Sequence, residues 1–297
     1  MSRNRAAVFV GPTISRADAS EILNAVYLPP ASQGDIYRLR SFRPLAIGVI
    51  DGYFEGQPAV WHKEILWAIS EGIPVFGASS MGALRAIELS GFGMIGIGRI
   101  FQDFAKGVLE DDDEVTIVHG SVESGYRAAS DAMVNIRYTL QAAAASGVIE
   151  VSLQEELCKI AKDMFYAERA FTSLIDKARS VGLSKLQLDN LAEWLPGNYV
   201  NQKKEDAVEM LIAMRNHLIG QTASSAPNFV LEPTLLWIEL TRSVGVFAPT
   251  VTDGQHSAVT VTVDDILTEV RLLEPVQKLG ISSQELMSEG NVDHGFG

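Results

Sequence analysis

The chain has a single cysteine, Cys158, in 297 residues. One thiol closes no disulfide framework and excludes a zinc site built mainly on thiolates. It also fits a reducing compartment. Basic residues are scarce: 24 Lys+Arg against 37 Asp+Glu leave a net charge of −13 with His neutral. A field of that sign repels phosphate backbones, which excludes nucleic-acid binding through a basic surface. No stretch reaches the length of a membrane span. The apolar run after Arg3 and Arg5 stops at Gly11-Pro12, too soon for a signal peptide. A soluble cytoplasmic protein is expected. No repeat period stands out. What remains is an ordinary globular composition, 47% hydrophobic and 21% charged, able to bury a core in one large domain or two modest ones.

The first half alternates short apolar runs with helical periodicity. Ala6–Val10, Leu45–Ile50 and Pro74–Phe76 read as buried strands, closed by Gly11, by Asp51-Gly52 and by Gly77. EVTIV, residues 114–118, reads as a fourth, closed by His119-Gly120. Between them lie helical patterns. The first has Ser15 or Asp18 as cap and Ile22, Leu23 and Val26 on one face. The second opens near Pro58 and runs through VWHKEILWAISEG, with Trp61, Ile65, Ala68 and Ile69 on its core face. The third covers SSMGALRAIEL. YLPPASQGD, residues 27–35, is loop by its prolines and glycine. After about residue 128 helix-period segments dominate. Within residues 257–275 one short strand precedes a helix, and the tail from Ser288 frays. The expected architecture is α/β: an N-terminal open, mostly parallel sheet with flanking helices over residues 1–128, followed by a mainly helical region over 129–297. In such sheets ligands bind outside the carboxyl ends of the strands. That rule nominates Gly11, Asp51, Gly77 with Ser79 and Ser80, and His119.

The most specific segment is Pro74–Leu89. A strand turns through small residues into a helix, and Ala78-Ser79-Ser80-Met81-Gly82 nearly matches the Gly-x-Ser-x-Gly nucleophile elbow, with Ala in the first place. The Ser80 hydroxyl then projects at a helix N-terminus, where the Met81 N–H can stabilise an oxyanion. The alternative is a helix cap by Ser79 or Ser80. Lys63 sits early in the preceding helix. The helix dipole and partial burial would lower its pKa and let it act as a base. Otherwise it is an exposed lysine paired with Glu64 or Glu71. Asp51, Ser80 and His119 also offer a Ser-His-Asp triad, while Asp51 and His119 equally read as turn residues. Arg85, one turn beyond Ser80, suits a carboxylate or Glu88. Asn135 and Arg137 interrupt an apolar helix and hint at a lined cleft.

Two patterns carry less than they suggest. Gly91 to Gly96 satisfies G-x-G-x-x-G but follows a helix, so a dinucleotide site lacks its context. The acidic run Glu110–Glu114 reads as a solvated loop, because adjacent carboxylates cannot all face one ion. No cofactor is expected.

Asp51-Gly52-x-Phe54, Pro58-Ala59-Val60-x-His62-Lys63-Glu64-Ile65-Leu66, Gly77-Ala78-x-Ser80-Met81-Gly82-Ala83-Leu84-Arg85-Ala86-x-Glu88-Leu89, and Gly93-Met94 with Gly96 and Gly98 together resemble the TfuA-like family. EVTIVHG is similar to the family pattern too. The resemblance runs from the first strand to about Arg137. It implies an accessory protein of peptide backbone thioamidation that works with a YcaO enzyme, which itself uses ATP. In that scheme the TfuA-like protein hydrolyses a ThiS-like carrier ending in a thiocarboxylate, supplies the sulfur, and helps YcaO bind its peptide substrate. The family's hydrolase-like Ser–Lys pair carries onto Ser80 and Lys63, with Met81 and an amide near Gly11 or Gly52 holding the oxyanion. A non-catalytic docking scaffold and a Ser-His-Asp hydrolase of small esters are the competing readings.

Overall fold

The computed structural model describes residues 5–220 and 229–244. The elements read in residues 257–275 and the tail from Ser288 lie outside the described residues. Five strands form one parallel sheet: β1 (Ala6–Phe9), β2 (Ala25–Leu28), β3 (Ile47–Val49), β4 (Val75–Gly77) and β5 (Ile95–Gly96), in the order β2-β1-β3-β4-β5. Helices α1 (Arg16–Ile22), α2 (Asp35–Arg38), α3 (His62–Ser70), α4 (Met81–Leu89) and α5 (Arg99–Ala105) alternate with them. A mainly helical region follows: α6 (Met133–Ala145), α7 (Val151–Lys162), α8 (Phe171–Ser180), α9 (Lys185–Asn198), α10 (Gln202–Gly220) and α11 (Leu235–Ser243). No helix among the described residues is long and apolar enough to cross a membrane.

Both faces of the sheet are covered, which is why its strands are apolar throughout rather than alternating. Ala6, Val8, Val10, Phe76 and Ala78 pack with Ala207, Met210, Leu211 and Met214 of α10. Gly48 makes that approach possible: a Cβ there would lie 2.7 Å from Met214 Sδ. Helices α3 and α4 pack against β4. So α10, far along the chain, returns to the sheet and sits on its central strands.

Three local expectations change. Val26 belongs to β2 and not to the first helix, which ends at Ile22. The Tyr27 hydroxyl explains the early stop: it lies 2.7 Å from both Ala19 O and Leu23 O and satisfies carbonyls at the helix end. The second helix starts at His62 and not near Pro58, whose carbonyl instead accepts from Gln33 N. Glu64 fixes that start by accepting from Trp61 N at 3.3 Å. Residues 114–118 form no strand. Asp112–Glu114 make a 3-10 turn, and His119 contributes one antiparallel bridge, to Ala128. Polar groups within this segment find side-chain partners in place of a ladder: Val118 N donates to Ser130 Oγ, and Thr116 Oγ1 donates to Asp112 O.

The acidic run is solvated only in part: Glu110, Asp111 and Asp112 are exposed, but Asp113 and Glu114 turn inward. Glu114 is 2% exposed and takes two 2.8 Å bonds from Arg137 of α6. Lys162 bridges Asp111, Asp113 and Glu114, and the fully buried Arg169 reaches Asp113. These carboxylates tie the helical region to the loop after α5, and their multiple partners offset the desolvation of burial.

Candidate functional site

Strand order reverses between β2-β1 and β3-β4, so the carboxyl ends of β1 and β3 splay apart and leave a crevice. The chain opens a cleft of about 340 Å³ there. Pro12 follows β1, Asp51 and Gly52 follow β3, and Ser80 follows β4; Thr116 to Ser121 form a wall, with Tyr53, Phe54, Glu55 and Tyr166 around it. Of the residues nominated from the sequence, Asp51, Ser80 and His119 line the cleft, whereas Gly11, Gly77 and Ser79 do not.

The turn into α4 has the sharpness expected of an elbow. Ser79 holds a left-handed backbone, φ 67°, and Ser80 N donates across it to Ala78 O at 2.8 Å. That three-residue turn with a left-handed centre is rare and strained. It is held because the helix is pressed onto the strands: a Cβ on Gly82 would lie 1.8 Å from Val49 O, and one on Gly77 2.2 Å from Gly82 O. Small residues are a steric requirement here. Neither serine caps the helix. Ser80 stands at the N-cap position with no side-chain cap bond, and Ser79 Oγ donates to the carbonyl of Lys203 at 2.7 Å.

Lys63, the amine expected at Ser80, lies elsewhere and donates to Thr234 Oγ1 at 3.0 Å. The amine that meets Ser80 is that of Lys203, on the first turn of α10: its Nζ donates to Ser80 Oγ at 3.1 Å and to Val115 O at 2.7 Å. Lys203 is 3% exposed. Burial lowers its pKa from 10.5 to about 8, against the opposing pull of the Asp51 carboxylate. Asp51 is itself buried and held at both oxygens by Thr13, from Thr13 N at 3.1 Å and Thr13 Oγ1 at 2.6 Å.

A signal for Lys203 existed in the sequence. Lys203, Asp206, Ala207, Met210, Leu211 and Met214 share one helical face, and all are buried. A lysine at a core position of an apolar stripe needs a reason. Thr13, one residue past Gly11-Pro12, carried no comparable signal.

The other expected residues divide. Of the first-turn amides of α4, Gly82 donates to Ile50 O, and Ala83 and Leu84 donate to Ser80 O. Met81 N–H has no backbone acceptor among the described residues and stands beside the hydroxyl at the positive end of the helix dipole. Gly52 lines the cleft, and its own N–H is not used in the bridge to Ala31, whose bonds run from Ala31 N to Asp51 O and from Tyr53 N to Ala31 O. Gly11 packs against Pro30 and Asp51 and does not line the cleft. His119 lines the cleft, but its Nδ1 pairs with Gly120 O at 2.8 Å while Thr13 takes Asp51. The histidine–aspartate bond of a triad is missing. Arg85 reaches Val60 O and Glu88 and does not line the cleft. Arg137 is taken by Glu114, and Asn135 turns to Lys203 N, Tyr199 and Asn201.

This arrangement suits acyl transfer: a hydroxyl at a helix N-terminus, a largely desolvated amine within hydrogen-bond reach, and an adjacent N–H positioned for developing negative charge. Among the described residues no group of three or more His, Cys, Asp or Glu converges as metal ligands. No curated protein matches the chain. Residues 51–170, which carry Asp51, Ser80 and His119 but not Lys203, match the family described as TfuA-like protein.

Proposed function

We propose that this protein is an accessory hydrolase of YcaO-dependent peptide backbone thioamidation, in which Ser80 and Lys203 release sulfide from a thiocarboxylated ThiS-like carrier. The TfuA-like match supports a role in the YcaO-associated thioamidation system. The observation that carries the hydrolytic step is the 3.1 Å contact between Ser80 Oγ and the buried Lys203 amine.

Neutral Lys203 accepts the Ser80 proton while Oγ adds to the thiocarboxylate carbon. The oxyanion lies toward Met81 N–H, with Gly52 N–H as the second donor. The C–S bond breaks, the Lys203 proton goes to the departing sulfur, and HS⁻ leaves a Ser80 ester of the carrier. Water activated by Lys203 then hydrolyses the ester to the carrier carboxylate and regenerates Ser80. The protein itself needs no cofactor in this scheme; ATP is consumed by YcaO, which takes the sulfide and holds the peptide.

The test is sulfide release from purified thiocarboxylated carrier, followed colorimetrically, with intact-mass spectrometry for the ester. Wild-type protein releases sulfide, and Ser80→Ala does not. Release undiminished in Ser80→Ala overturns the mechanism. No release by the wild type, together with binding of YcaO, leaves a docking scaffold as the function.

A further inference from the structure

Lys203 is useful as a base only if its amine stays at Ser80, and its side chain is a long, flexible stem. The main chain of Lys203 is gripped on both sides. Its carbonyl accepts from Ser79 Oγ at 2.7 Å, and its N–H donates to Asn135 Oδ1 at 3.2 Å. Ser79 is fully buried, and Asn135 is 6% exposed. The carbonyl bond adds to the helix's own hydrogen bonding, and the N–H bond satisfies a first-turn donor that Asn201 leaves free. The start of α10 has its own cap, with Asn201 Oδ1 accepting from Lys204 N at 3.1 Å.

Asn135 is in turn fixed. Its Nδ2 donates to Tyr199 Oη at 3.1 Å and Asn201 Oδ1 at 3.2 Å, and Tyr199 donates to Asp131 at 3.0 Å. Asp131 accepts from Phe171 N at the start of α8. Ser79 is fixed by the strained turn that also presents Ser80. One backbone turn therefore sets the nucleophile with one residue and, with the residue before it, seizes the chain that carries the base.

We infer that Ser79 and Asn135 are positioning residues that clamp the main chain of Lys203 and so hold its amine on Ser80. This rests on the hydrolytic reading above, but the clamp can be measured without turnover. The left-handed Ser79 also acquires a reason: in that turn its hydroxyl bonds the start of α10 while Ser80 lines the cleft.

Ser79→Gly is the informative variant. Glycine adopts φ 67° without steric cost, so the turn survives and only the hydroxyl is lost. The loosened amine gains water, and its titration moves up from about 8 toward the ordinary lysine value. The expected result is an acid limb of the kcat profile shifted upward by about one unit and kcat at pH 8 lowered about 10- to 100-fold, with KM little changed. The same upward shift is read without substrate from the ¹³Cε resonance of Lys203. A merely structural role lowers the melting temperature and leaves both titrations in place. Asn135→Ala cuts the other half of the clamp and decides the matter if Ser79→Gly does not fold. A wild type that releases no sulfide removes the hydrolytic reading and leaves the ¹³C titration to judge the clamp. Unshifted titrations in both variants overturn the clamp whatever the activity.

Discussion

Replacing Lys203 with methionine separates catalysis from stability, because the two should move in opposite directions. Folding holds the Lys203 pKa near 8 against 10.5. With about 1.4 kcal/mol per unit, the charged form costs about 3 kcal/mol in the folded chain. The unfolded chain keeps its proton up to about pH 10, while the folded one releases it near 8. Stability contributed by this residue therefore rises with pH from 8 upward and is lost below. Methionine removes the buried charge but leaves Val115 O without the 2.7 Å bond, a loss of about 1–3 kcal/mol. At pH 7 Lys203→Met is thus expected to be as stable as wild type or up to about 2 kcal/mol more so. Its stability should lack the rise between pH 8 and 10. Catalysis should fall about 10²- to 10⁴-fold with the base gone. In the wild type about one-tenth of the amine is neutral at pH 7 and about nine-tenths at pH 9, so sulfide release should rise about tenfold between them. Urea unfolding at three pH values and a pH–rate profile on the thiocarboxylated carrier make the measurement. An acid limb above pH 10, or full activity in Lys203→Met, would refute the assignment.

Two further outcomes follow from geometry outside the dyad. Gly82→Ala must move either the helix or β3, because its Cβ would stand 1.8 Å from Val49 O; a loss of about 3 kcal/mol or more, seen as a depressed melting temperature, is expected, and a stable, active variant would show that α4 is not pressed onto the strand. Glu64 is fully buried, with a pKa raised to about 7 chiefly by burial, and it accepts from Gly34 N, Tyr37 N and Trp61 N. The unfolded carboxyl releases its proton near 4.5 while the folded one keeps it, so stability should fall by up to about 3 kcal/mol as pH rises from 4.5 to 7. Glu64→Gln, unfolded by urea at pH 5 and 7.5, should lose that part of the slope, and an unchanged slope would place the titration elsewhere.

The limits of the sequence are most visible at the two lysines. Strands β1, β3 and β4, the helices that follow them and the serine turn were legible because each is written locally: apolar runs closed by glycine or Asp-Gly, and small residues where strand meets helix; β2, split between an expected helix and an expected loop, and the two-residue β5 were not. Ser80, Asp51 and Gly52 line the cleft for that reason, since parallel topology brings successive strand ends to one edge; His119 lines it from a loop that follows no strand. The amine that meets Ser80 was not legible by proximity. Lys63 is one strand–helix unit from Ser80, but the start of α3 carries it to Thr234. Lys203 lies 123 positions beyond Ser80 and arrives on a helix that the helical region lays across the sheet. Nothing local could announce that path, because it depends on Gly48 admitting Met210 and Met214 and on the ion pairs binding the acidic run to α6 and α7. The family match stops at residue 170, short of α10. The readable sign was the cost itself: a lysine on the buried stripe of a helix is tolerated only where its charge is satisfied or its neutrality is used. At Lys203 the satisfying groups are one carbonyl and one serine hydroxyl, with the Asp51 carboxylate committed to Thr13. That is too little to keep an ammonium at its ordinary pKa and enough to hold an amine in place, and it is the strongest reason to read this lysine as a base rather than as a structural cation.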